Sequence, residues 1–150
     1  MTRSRRWRKA TQATLLGWAA GLIVTLPLQI VEGLRSTGPN FRLLIAALGY
    51  GFALWLLITF AGVAIAWVCV VFPVSLFVHE RWLLEHRTSV IMGSICAGVA
   101  AASCKVAVLG QLEHDGIGLM NFWIYACFAV VFAGTAAYSY LRFLAREQNV

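Results

Sequence analysis

At 150 residues the length suits one domain, but 61% of the residues are hydrophobic, 12% are charged and the mean hydropathy is +0.79. These values lie far from those of a water-soluble fold and point to an integral membrane protein. A formal charge of +6 raises the question of nucleic acid, and the placement of the charge decides against it. Five of the twelve basic residues, Arg3, Arg5, Arg6, Arg8 and Lys9, immediately precede an apolar run, which is a membrane-topology signal suited also to contact with anionic lipid.

A spanning helix needs about 20 mostly apolar residues, because the hydrocarbon core is about 30 Å thick and each residue rises about 1.5 Å. Four segments meet this at about 14–33, 43–72, 89–110 and 119–141. An isolated strand would leave backbone groups unpaired in lipid, so each segment is expected to be helical. The fold class expected is an all-α membrane protein, a single domain built as a bundle of four transmembrane helices.

The first span follows Ser4-Arg5-Arg6-Trp7-Arg8-Lys9, which loosely resembles a twin-arginine export signal. Arg8 stands where such a signal is apolar, and no small-x-small cleavage site follows, so a retained signal-anchor is expected. Gly17 and Gly21 stand four apart on one face of this span. On either side of Pro27, Thr25, Gln29 and Glu32 form a polar stripe towards its outer end.

The second segment is overlong. Leu43 to Val78 is some thirty-six residues with Pro73 near its end; as one helix it would reach about 50 Å. Either the helix continues somewhat past the membrane, the preferred reading, or Pro73 ends or kinks it and Val74 to His86 lies along the interface. The stretch His79-Glu80-Arg81-Trp82-Leu83-Leu84-Glu85-His86-Arg87 carries metal-binding residue types, but it does not match H-E-x-x-H. It reads as a solvated loop able to contact a partner through Trp82 and Glu85, with Arg81 and Glu85 forming a surface ion pair if the loop is helical.

The third span carries Ser94, Gly98 and Ala102 at intervals of four and Lys105 about a turn from its outer end. A charge in a membrane is a functional candidate by default. Lys105 and Glu32 share a layer, so they are expected to form an ion pair that fixes helix order, or to join Thr25 and Gln29 in a polar path. The outer loop Gly110 to Gly118 holds Glu113, His114 and Asp115, too isolated to make a site. The fourth span carries Ala129, Ala133 and Ala137 at intervals of four, and aromatic residues at both ends: Asn121-Phe122-Trp123 and Tyr125 at one, Tyr138, Tyr140 and Phe143 at the other. Such small-residue strips let helix backbones approach closely; packing within the bundle is the preferred reading, and a strip facing a partner protein or a second copy the alternative.

Cys69, Cys96, Cys104 and Cys127 all fall within apolar segments, without metal or redox spacing, and read as small fillers. Basic residues flanking the spans number nine on the side of the N-terminus and two, Arg35 and Arg42, on the other. The positive-inside rule then makes both termini cytoplasmic, in an inner membrane, and the Ala, Val, Gly and Arg usage has a bacterial cast.

No G-x-S-x-G, phosphate-cradling loop or pair of intramembrane carboxylates is present, so no catalytic, cofactor or metal residues are assigned. The function expected is that of a non-catalytic inner-membrane accessory protein for assembly, exclusion, immunity or regulation. Its partners would be the bilayer and another integral membrane protein or a second copy, met through Gly17, Gly21, Trp82, Glu85, Ser94, Gly98 and Ala102. A small oligomeric transporter or channel protomer, using Thr25, Gln29, Glu32 and Lys105, is the alternative. A lipid-modifying enzyme working through His79 and His86 is the second.

Overall fold

The computed structural model describes residues 3–37, 41–110 and 118–148, with side chains described over 6–35, 42, 45–46, 48–104 and 123–146. The outer-loop residues Glu113, His114 and Asp115, and the side chains of Arg3, Arg5, Lys105, Asn121 and Phe122, lie outside the described residues. The elements in chain order are α1 (Arg3–Thr37), α2 (Phe41–Ala66), a π-helical turn (Trp67–Val71), α3 (Phe72–Phe77), α4 (Glu80–Glu85), α5 (Arg87–Gly110) and α6 (Gly118–Gln148). Four stretches are long and apolar enough to cross a membrane: Arg6–Arg35, Leu48–Phe77, Arg87–Cys104 and Trp123–Arg146. The chain is therefore an all-helical, multi-pass membrane protein.

Helix α1 starts eleven residues before the first apolar span and takes in the basic segment that the sequence offers only as a topology signal. Its 35 residues correspond to about 52 Å, well beyond the hydrocarbon core. What holds the extra turns helical is tertiary contact. Trp7 packs edge-on against Trp67 and Phe72, with ring centroids 6.1 and 5.0 Å away. Lys9 Nζ donates to the carbonyl of Phe143 at 3.2 Å, placing a cation on the C-terminal part of α6, where the helix dipole favours it.

The second span resolves the question of Pro73. A proline has no N–H to offer the carbonyl four residues back, and its ring collides with that carbonyl. The turn before it is widened to π geometry, with the Phe72 N–H bonded to Trp67 O, and the helix passes the proline and runs on to Phe77. It breaks at Val78 and His79, whose backbones are extended. The stretch after the break departs from the solvated loop expected. Glu80–Glu85 is a turn of helix, and Leu83, 2% exposed, is clamped against Leu141 and Leu144 of α6. Two consecutive leucines in a short polar stretch are what make this docking favourable.

Contacts fix the helix order. Gly17 meets Phe132 and Ala136 of α6 while Gly21 meets Phe128, so α1 and α6 are antiparallel. Ile95 faces Gly134 and Gly98 faces Ala129 and Ala133, which makes α5 and α6 antiparallel too. Trp7 lies by Trp67, and Trp18 by Phe60, so α1 and α2 likewise run in opposite directions. The first turns of α1, the last turns of α6, α3, α4 and the start of α5 thus gather at one end of the molecule. Helix α6 packs on both α1 and α5, and α2 leans on α1. Trp55 and Val63 of α2 reach α6 through a cluster with Ile124 and Phe128.

Candidate functional site

Lipid is as apolar as the side chains, so association of spans rests on close packing and hydrogen bonds between helices. The small-residue strips supply the first. A methyl group on Gly17 would lie 2.6 Å from Phe132 O, one on Gly21 2.8 Å from the Phe128 ring, and one on Gly98 3.0 Å from Ala129 O. These three glycines, read from sequence first as packing within the bundle and also as candidate partner contacts, face the chain's own α6. Ala102, 7% exposed, is buried as well, and half-buried Ser94 returns its hydroxyl to Val90 O at 2.8 Å.

A hydrogen-bonded relay supplies the second. Trp18 Nε1 donates to Thr59 Oγ1 at 3.2 Å, and the Thr59 hydroxyl donates in turn to Trp55 O at 2.8 Å. The i, i+4 spacing of Trp55 and Thr59 allows the second bond, while the first crosses from α1 to α2. Sequence reading missed this pair; a lone Thr amid Leu, Ile and Phe was the available signal.

The polar stripe of α1 divides. Thr25 is fully buried and spends its hydroxyl on its own helix, at Gly21 O, 2.8 Å away. Gln29 and Glu32 are half-buried, and Gln29 Nε2 and Glu32 Oε2 are shielded from solvent without a hydrogen-bond partner among the described residues. The expected Glu32–Lys105 pair rests on a Lys105 side chain outside the described residues.

At the other end, Arg6 Nε pairs with Glu80 Oε1, with about a fifth of each side chain exposed, and ties α1 to α4. The surface pair expected between Arg81 and Glu85 is absent: both side chains are exposed, α4 is a six-residue helix, and an exposed pair gains roughly 0–1 kcal/mol over hydration. Glu80 is the carboxylate with a partner. Trp82, half exposed, stacks on His86 with centroids 4.8 Å apart, and His86 Nδ1 donates to Trp82 O at 3.1 Å. His79 stands exposed before α4. Among the described residues no three His, Cys, Asp or Glu side chains are grouped to hold a metal.

The outward faces of the spans differ in kind. On α2 the exposed residues mix large groups suited to acyl chains, Leu54, Leu57, Phe60 and Ile65, with the small Gly49, Gly51, Ala53, Ala61, Gly62 and Ala64. On α5, past the polar first turn Arg87–Ser89, the exposed residues among those described are Met92, Gly93, Cys96, Ala97, Ala100, Ala101, Ser103 and Cys104, small in all but the first, and a Cβ added at Gly93 meets nothing within 4 Å. Helix α5 is small on both sides: one face is closed on α6 and the other open. Comparison with protein-family models, curated proteins and solved structures finds no match.

Proposed function

We propose that this chain is a non-catalytic accessory protein of the inner membrane, with both termini cytoplasmic, that works by docking the span of a partner membrane protein on the open face of α5. The carrying observation is that the open face of α5 bears one large apolar side chain, Met92, among its described residues, whereas the outer face of α2 interleaves large apolar groups with its small ones. A helix in lipid gains close backbone approach from small residues only where another helix arrives. On α5 the strip from Gly93 through Ala97 and Ala100 to Cys104 is exposed, with no such neighbour among the described residues. The excess of basic residues at the end holding Arg6, Lys9, Arg81 and Arg87 supports the orientation.

Photoreactive residues placed at Ala97 and Ala101 in native membranes test the reading, with Leu57 of α2 as the lipid-facing control. A discrete second protein captured from α5 and not from Leu57 supports it. Equal, diffuse labelling from all three positions defeats it.

A transporter or channel reading is favoured by one observation, the shielded and unpartnered Gln29 Nε2 and Glu32 Oε2. Ion or solute flux through reconstituted protein that disappears in Glu32→Gln would establish it in place of the first.

A further inference from the structure

Near its C-terminal end α6 has two unlike faces. Leu141 and Leu144 point inward, 4% and 2% exposed, onto Leu83 of α4. On the other side Tyr138, Arg142 and Arg146 follow one another at intervals of four and are all exposed, so they form a continuous stripe one aromatic ring and two guanidiniums long. Neither arginine has an ion-pair partner among the described residues.

Depth identifies what the stripe meets. Trp123, 64% exposed, and Tyr138, 56% exposed, are the kind of side chains that settle at the two borders of a bilayer. The helical rise from Trp123 to Tyr138 is about 22 Å and that from Trp123 to Arg142 about 28 Å, close to the hydrocarbon thickness of about 30 Å. Arg142 and Arg146 then stand about 6 and 12 Å beyond Tyr138, at the level of lipid phosphates. A guanidinium binds phosphate through two parallel N–H bonds, and two of them a single turn apart present a paired cationic face to an anionic layer.

We propose that the Tyr138–Arg142–Arg146 face of α6 is a binding site for anionic phospholipid, the two arginines holding the headgroup phosphate and the Tyr138 ring lying along the start of the acyl chains. This is separate from the protein-docking face of α5 and does not depend on it. The basic residues at this end thereby divide in role: Arg6 and Lys9 are engaged within the protein, whereas Arg142 and Arg146 are turned to the lipid.

The test uses the full chain in vesicles of phosphatidylethanolamine and phosphatidylglycerol doped with a headgroup-photoreactive phosphatidylglycerol, with adducts mapped by peptide. Labelling is expected to concentrate between Tyr138 and Arg146 and to be displaced by unlabelled phosphatidylglycerol but not by phosphatidylcholine. Arg142→Gln and Arg146→Gln should each weaken it roughly fivefold, the corresponding lysine variants much less, and Arg81→Gln with Arg87→Gln not at all. Adducts spread equally over α2 and α5, or competition by phosphatidylcholine equal to that by phosphatidylglycerol, would overturn the proposal. The mapping and competition on the unmodified chain decide the matter even where a glutamine variant fails to fold.

Discussion

Gly17 and Phe132 are in such close apposition that a single methyl group on the glycine would stand 2.6 Å from the Phe132 carbonyl oxygen. The neighbour there is backbone, which cannot swing aside. Gly17→Ala is therefore expected to force α1 and α6 apart at a cost of about 1–3 kcal/mol. Gly62→Ala and Gly93→Ala add their methyl groups to open space and gain helix propensity, so they should be neutral or stabilising by up to about 1 kcal/mol. Reversible unfolding in mixed micelles would read the difference. Gly17→Ala as stable as Gly62→Ala would mean that α1 and α6 do not approach this closely.

The bond from Trp18 to Thr59 should be measurable as a coupling energy. A double-mutant cycle of Trp18→Phe and Thr59→Val is expected to return about 0.6 kcal/mol, and no more than about 1.7, the range of hydrogen bonds between spans. Thr59→Val keeps the shape while removing the hydroxyl. A coupling indistinguishable from zero would show the two side chains acting independently.

Glu80→Gln removes the charge that Arg6 meets and so loosens α4 from α1. With both groups about four-fifths covered, the loss should fall between that of an exposed and of a buried pair, roughly 1–2 kcal/mol. The effect should be local. Hydrogen exchange is expected to quicken at the amides of Glu80–Glu85 and to stay unchanged in the middle of α5 and α6. Uniform quickening would instead mean that α4 is integral to global stability.

Three cysteines provide a natural test of the α5 face. Cys69, Cys96 and Cys104 are all exposed on the chain itself, so a lipid-soluble maleimide should label them comparably in detergent. In native membranes a docked partner would shield Cys96 and Cys104 and leave Cys69 open. Equal labelling of the three in native membranes would count against a partner on α5.

The spans were legible in the sequence because the hydrocarbon core imposes one physical length, and their helicity because lipid permits little else. The packing strips were legible only as strips. Spacing of four marks Ser94, Gly98 and Ala102, but it marks Gly93, Ala97 and Ala101 equally well, and no periodicity says which set meets α6. Where every side of a helix is small, sequence loses its sidedness. The Arg6–Glu80 pair was hidden for another reason: it joins residues seventy-four positions apart, and an aromatic contact at Trp7 has to extend α1 before the charges can meet. The helix runs past Pro73 to Phe77, in line with the preferred reading of the sequence, but the π turn at Trp67–Val71 just before the proline has no marker in the sequence.

One consequence follows from α6 being the helix on which α1 and α5 both rest. It comes after all the others in the chain, and its bond from Lys9 to Phe143 spans 134 positions. During synthesis α1 and α5 enter the bilayer before the α6 surface that joins them exists, while α2 can already lean on α1. The neighbouring pairs α1–α2 and α5–α6 can form as hairpins, but joining them waits on the distant contacts between α1 and α6, a late step. Until α6 enters, both small faces of α5 lie bare in the lipid, and the newborn protein is at its most sociable just before it is complete.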